Sequence, residues 1–406
     1  MSSKSGANAA ERAGGDLVLI LLLAAVTAIG PFAMHALAPA LPSIAQDFEV
    51  SAAAAQLTLS LSLVAMAISN LIWGPLSDRY GRRPILLIGL AMGATGSVLA
   101  ALAPELWVVI LGRLLQASGA AAGMVLARAV AQDVYGQHRA AGVIGQITGV
   151  MVAAPMIAPT VAGLVVDWAN WPGVFWMSAA LCLMLWGWSA SSLQETAPKG
   201  AAGTGTLDMV RGFFLIGGRR AFWRYAGYAA FSLAGFYYFV AIAPFVMREA
   251  FGQSAGTYGL YFILLSGTFM FTNLIAGRVS ARFGGEQVLM FGAILSLVGP
   301  ILVATALLVG LHHPLVLFLP GMIQSFGAGL AMPNAMAGAV GAAPERAGAA
   351  SGLLGFSQFI ISALTTQAAG FLPHNAAMVV PVGMGGCILI GIVFLVVLKD
   401  RLVPVR

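Results

Sequence analysis

Arg113 interrupts the apolar run "LWVVILGRLLQASGAAAGMVLA" (106–127) about eight residues, or roughly 12 Å of helix, from its start. At that depth a guanidinium costs several kcal/mol unless it faces a partner or a wet cavity. Two readings follow: a cation that takes part in proton coupling or substrate binding, or a buried structural contact. Gln116, at i+3, shares the Arg113 face and can hydrogen-bond to it or to a solute. His35, in "FAMHALAPALP" (32–42) beside Met34, carries an imidazole, which titrates near neutrality and can ferry a proton. A histidine hydrogen-bonded near the outer interface is the competing reading. Arg128 and Asp133 close the segment that Arg113 opens, as a local gate pair or as an ordinary interfacial salt bridge. No acid lies in the middle of an apolar run. If His35 does not carry a proton, Asp133 or a group coupled to Arg113 must.

These residues need elements to hold them, and composition says which. The 406 residues are 60% hydrophobic and 8% charged, with 50 glycines, so a soluble globular domain is excluded. The expected fold class is an all-α integral membrane protein. Apolar runs long enough to cross a hydrocarbon core of roughly 30 Å recur along the chain. They predict twelve spans, roughly 17–39, 52–76, 84–103, 105–130, 139–165, 171–191, 224–247, 255–279, 286–310, 314–338, 347–371 and 376–398. The run after Asp16 has no cleavage site at signal-peptide distance and reads as the first span. With the amino end in the cytoplasm, cytoplasmic loops and helix ends collect 18 of the 20 Lys and Arg residues, which predicts both termini inside. The net charge of +6 therefore reports orientation and not nucleic-acid binding. Cys182 and Cys387 sit in apolar runs and read as packed thiols. No catalytic constellation or metal-ligand cluster stands out, so neither an enzyme nor a metal site is expected.

The longest connection, 192–223, is a linker between two six-span bundles at 17–191 and 224–398, with tails at 1–16 and 399–406. A repeat supports that division: "GPLSDRYGRRPILL" (74–87) meets "GRVSARFGGEQVLM" (277–290) at an offset of 203 residues, each after the second span of its half. In the first copy Gly74 and Gly81 permit tight backbone, and Asp78 can pair with Arg79, Arg82 or a helix end, Arg83 lying next to them. A solvated turn that merely obeys the charge bias is the plainer reading. In the fifth span, "AAPMIAPTVAG" (153–163), Pro155 and Pro159 each remove a backbone donor, while Gly149 and Gly163 permit close helix approach, so this helix should bend.

The 74–87 loop resembles the loop-two signature of the major facilitator superfamily, through Gly74, Leu76, Asp78, Arg79, Gly81, Arg82, Arg83 and Leu87. "APALPSIAQDF" (38–48), "GRLLQASGAAAGMVLARAVAQDVYG" (112–136) and the fifth-span pattern resemble its twelve-span drug:proton antiporters of the bicyclomycin and chloramphenicol resistance type. The resemblance implies two pseudo-symmetric six-helix bundles, alternating access and export. It also implies a bacterial inner membrane, a monomer, no cofactor beyond the coupling proton, and a lipid bilayer and a small amphipathic substrate as partners. It implies coupling roles for Arg113 and the first span, and a cytoplasmic gate at Gly74, Asp78, Arg79, Gly81, Arg82, Arg83 and Arg128. Asp78 and Arg82 are expected to latch the loop to the opposite bundle in one state. His35 is a departure, since many relatives carry an acid there.

In the second half, Phe236, Tyr237, Tyr261, Phe356 and Gln358, with Met34 and Gln116 from the first, offer an aromatic, amphipathic binding wall, although most such residues face lipid or core. A cavity with Arg113 and no central carboxylate disfavours permanent cations. Neutral or weakly anionic amphipathic compounds of the phenicol type are the expected substrates. A dedicated exporter of one metabolite (an amino acid, sugar or siderophore) fits the same residues, and a non-transporting sensor or scaffold is the alternative of another class.

Overall fold

Residues 2–197, 206–373 and 376–399 are described in the computed structural model; the linker core, 198–205, and the carboxyl tail, 400–406, lie outside them. Helix α1, Ser2–Ala36, is followed by a single 3₁₀ turn, Ala38–Ala40, and a short α2, Leu41–Asp47. Its helical backbone runs back through the polar amino end. Then come α3, Ala52–Tyr80, α4, Arg82–Ala101, and a long helical stretch α5, Leu106–Ser192. Non-helical backbone at Gly136 (φ 65°) and Asn170 (φ 61°) cuts α5 into three segments, which match the fourth, fifth and sixth predicted spans. A short α6, Thr206–Gly217, follows in the linker. The second half comprises α7, Arg220–Glu249, α8, Ala255–Phe283, α9, Gly285–Leu308, α10, Leu315–Gly341, α11, Ala347–Ala369, and α12, Val379–Val397.

Eleven described helical stretches are long and apolar enough to cross a membrane; one of them contains the Asn170 break, so the crossings number twelve. The repeat extends into the backbone. Gly81 (φ 100°) and Gly284 (φ 87°), 203 residues apart, end α3 and α8, and each donates its N–H back to a serine carbonyl, Ser77 at 3.0 Å and Ser280 at 2.9 Å. A positive φ there costs glycine nothing. Eight residues on, Gly89 and Gly292 repeat too: a Cβ at either would strike a carbonyl oxygen of the next helix, Gly119 or Gly327. Helices three and four of each half pack backbone to backbone by the same device.

Hydrogen bonds between the halves lie toward one end of the molecule. Gln56 Nε2 donates to the Ala241 carbonyl (3.2 Å), Ser60 Oγ to Gln367 Oε1 (2.8 Å), Gln367 Nε2 to the Ala53 carbonyl (3.0 Å), and Thr160 Oγ1 to the Gly259 carbonyl (2.7 Å). This is the end where Gln46 and Arg248 meet. At the opposite end, which carries Gly81 and Gly284, no hydrogen bond or ion pair joins the halves among the described residues.

Candidate functional site

Arg113 sits in the first segment of α5 with 1% of its surface exposed. Its Nη1 donates to the Ala33 carbonyl (3.2 Å) and to Gln116 Oε1, and its Nη2 lies 3.1 Å from Met34 Sδ. Gln116 Nε2 in turn donates to Ser97 Oγ on α4 (2.7 Å). Arg113, Met34 and Gln116 are thus brought together, Gln116 through the i+3 relation that the helix imposes. All three partners are neutral. Among the described residues no carboxylate approaches this guanidinium, and its Nε has no partner. It is an uncompensated cation held in the apolar middle of a helix bundle, at a cost of several kcal/mol.

His35 stands one residue on, at the end of α1. Its Nδ1 lies 2.7 Å from the Pro31 carbonyl, which can only accept, so Nδ1 carries a proton in that contact. Nε2 is buried and unpartnered. The ring packs on two residues of α7 from the other half, Phe236 (centroids 5.4 Å apart) and Tyr237 (5.6 Å). Phe236 continues to Phe262 (6.2 Å), Phe262 to Tyr258 (5.8 Å), and Tyr261 lies tilted against Phe318 (5.3 Å). These rings form a run of aromatic contacts in the second half that begins at His35. Phe356 and Gln358 on α11 are not joined to it by a ring contact or side-chain hydrogen bond among the described residues.

The charges of the 74–87 loop form a network within their own half. Arg82 pairs with Asp78, one turn back on α3, and its Nε donates to Asp133 Oδ2 at 3.0 Å. Its Nη1 also reaches Ser77 Oγ (2.6 Å). Arg83 donates to the Ala190 carbonyl (2.7 Å), and Arg79 lies over the ring of Tyr80. Among the described residues Asp78 and Arg82 make no contact of this kind with the second half, so the expected latch to the opposite bundle is not formed there. Nor do Arg128 and Asp133 pair. Five residues apart, they point about 140° from each other around the helix. Arg128 instead lies about 60° from Arg113 around the helix, exposed and without an ion pair among the described residues.

Sequence reading missed Glu195. Its carboxylate accepts from the backbone N–H of Arg82 (2.8 Å) and Arg83 (3.2 Å), the otherwise unsatisfied first turn of α4, and from those of Thr196 (3.0 Å) and Ala197 (2.9 Å). Burial pushes this carboxyl up, but the four donors outweigh it and hold it below the usual carboxylate range. In the middle segment of α5, Gly163 lies against the Ala255 carbonyl of α8, the close approach expected of it, whereas Gly149 has no neighbour of that kind. Pro155 and Pro159 both lie within this segment, and the Pro159 carbonyl abuts Gly259.

The profile of the Major Facilitator Superfamily matches residues 21–365 and 225–405 of this twelve-crossing chain. The chain belongs to the Major Facilitator Superfamily. It is accordingly a membrane transporter and not an enzyme. Its relatives include the bicyclomycin resistance protein homolog of Haemophilus influenzae, 27% identical over 95% of this chain and 96% of that one. The multidrug resistance protein D of Escherichia coli is 29% identical, covering 88% and 89%. The chloramphenicol resistance protein of Pseudomonas aeruginosa is also 29% identical, covering 88% and 85%. Among solved structures a D-xylose-proton symporter superposes with a TM-score of 0.75 at 14% identity, over 93% of this chain and 97% of that one, which shows the shared major facilitator fold. Within this superfamily member, a buried charge (Arg113), an imidazole (His35) and the junction of the halves coincide at the α7 aromatics.

Proposed function

We propose that this transporter is a secondary active exporter of small amphipathic compounds, working by drug:proton antiport and alternating access between bundles 17–191 and 224–398. The relatives named for bicyclomycin, chloramphenicol and multidrug resistance support export of drugs. The observation that carries the site is Arg113: a guanidinium surrounded by neutral partners at membrane depth attracts an acceptor-rich or anionic group and repels a cation. Neutral or weakly anionic amphipaths such as phenicols are therefore its substrates, and the α7 and α8 aromatics supply their apolar contact. Arg113, His35 and Asp133 are the groups through which a proton can be coupled; the unpartnered Nε2 of His35 favours His35. Bonds between the halves at the Gln46 end, and none at the Gly81 end among the described residues, fit a carrier open toward the cytoplasm. The protein works as a monomer in a bacterial inner membrane, with both termini in the cytoplasm and the proton as coupling ion.

A resistance panel of neutral, anionic and cationic antibiotics in a pump-deficient host tests this reading. Raised resistance to chloramphenicol but not to ethidium is expected, and equal resistance to both would overturn the substrate assignment. His35→Asn should flatten the pH dependence of antiport between about pH 6 and 8; an unchanged profile would remove His35 as carrier.

A further inference from the structure

At the Gln46 end two polar contacts cross between the halves on either side of a cavity of about 250 Å3. On one wall Arg248 of α7 donates from Nη2 to Gln46 of α2. On the other, Asp167 in the middle segment of α5 reaches into the second half, where its Oδ2 accepts from Ser254 Oγ (2.9 Å) and from the Gly256 backbone N–H (2.9 Å). Ser254 is the N-cap of α8 and its Oγ also accepts from the Thr257 N–H (3.2 Å). Asp167 therefore completes the cap of a helix that belongs to the opposite half. A carboxylate suits that place twice over, because it satisfies an orphan N–H and stands at the positive end of the helix dipole. No basic side chain forms an ion pair with Asp167 among the described residues. Its charge is answered by α8, so separating the halves at this end leaves both the carboxylate and the first turn of α8 without their partner.

We propose that Asp167 is a gate residue whose carboxylate, by capping α8 across the junction, holds the Gln46 end closed and must release α8 each time that end opens. The proposal rests on the alternating-access reading. It adds a residue to the machinery of transport that neither the loop motif nor the buried arginine involves. A Cβ at Gly256 would meet Asp167 Oδ2, so any larger residue there makes the carboxylate leave its present place, and Gly163 and Gly259 bring the two helices together backbone to backbone. The carboxylate can sit on α8 only when these helices are fully seated.

Spin labels at Leu102→Cys and Leu311→Cys, both exposed near this end on opposite halves, give the test. Distance distributions are measured by pulsed electron spin resonance in nanodiscs without substrate, in the parent, Asp167→Ala and Gly256→Ala. Losing two hydrogen bonds to an exposed carboxylate should raise the ratio of long to short distances about fivefold. Gly256→Ala keeps every polar group and favours helix, yet expels the carboxylate from its seat, so it should shift the ratio the same way even if Asp167→Ala does not fold. An unchanged distribution in Gly256→Ala, or in a folded Asp167→Ala, would overturn the proposal. The readout uses neither drug nor pH gradient, so a failure of the export reading would leave this result standing.

Discussion

Replacing Arg113 by methionine should stop transport without unfolding the protein. The guanidinium donates to the Ala33 carbonyl and to Gln116 Oε1, so its removal leaves two buried acceptors unpaired, at about 1–3 kcal/mol each. Against this stands relief of a buried cation that no carboxylate balances, a penalty of several kcal/mol. Methionine also fills most of the volume and spares the cost of a cavity. The two effects nearly cancel, and the unfolding midpoint in detergent should stay close to that of the parent or rise. Transport has no such compensation. A unit charge about 4 Å from an anionic or strongly polar group contributes about 4 kcal/mol at an effective dielectric of 20, which is about a thousandfold in the affinity of the coupled state. Chloramphenicol uptake into inverted vesicles energised by a pH gradient should therefore fall to background. Full retention of gradient-driven uptake would refute the reasoning on function. A large loss of stability would refute the claim that the charge is uncompensated, because it would mean that its partners hold the fold together.

Other expectations follow from the packing and the loop network. Glu195→Gln should lower stability at neutral pH, because the depressed native pKa contributes stability that is present above the unfolded value of about 4.3 and is lost as pH falls through the native value. Parent and variant unfolding midpoints should therefore converge below pH 4.3, with the effect kept small by solvent exposure of the carboxylate. Gly89→Leu and Gly292→Leu should each destabilise by about 1–3 kcal/mol or more through overpacking against the next helix, and to a similar degree, since the sites are equivalent; a thermal denaturation series in detergent checks both.

The span pattern was legible because burying a backbone in lipid demands uninterrupted helices about 20 residues long, and that demand is written directly in apolar run length. Boundaries inside α5 were legible only as polar breaks; the single backbone flips at Gly136 and Asn170 that make them came from the structure. The helical amino end was not expected, since polar composition says nothing about continuation of a helix that has already started. Gln116 beside Arg113 followed from helix periodicity, and so should have the failure of Arg128 to meet Asp133, because a spacing of five residues turns the two apart.

What remained hidden in each case was a contact between distant parts of the chain. Asp133 closes on Arg82, Glu195 caps α4 and Asp167 caps α8, across 51, 113 and 89 residues respectively. The capped groups are often backbone N–H, which every residue possesses and no motif records. The sequence by itself determined the membrane class, the twelve crossings, the half-length repeat and the depth of Arg113, since these depend on hydrophobicity and period alone. Only the tertiary structure decided that Arg113 has neutral neighbours, that His35 meets the aromatics of the other half, and that the halves close at one end, because each depends on where helices remote in sequence come to lie.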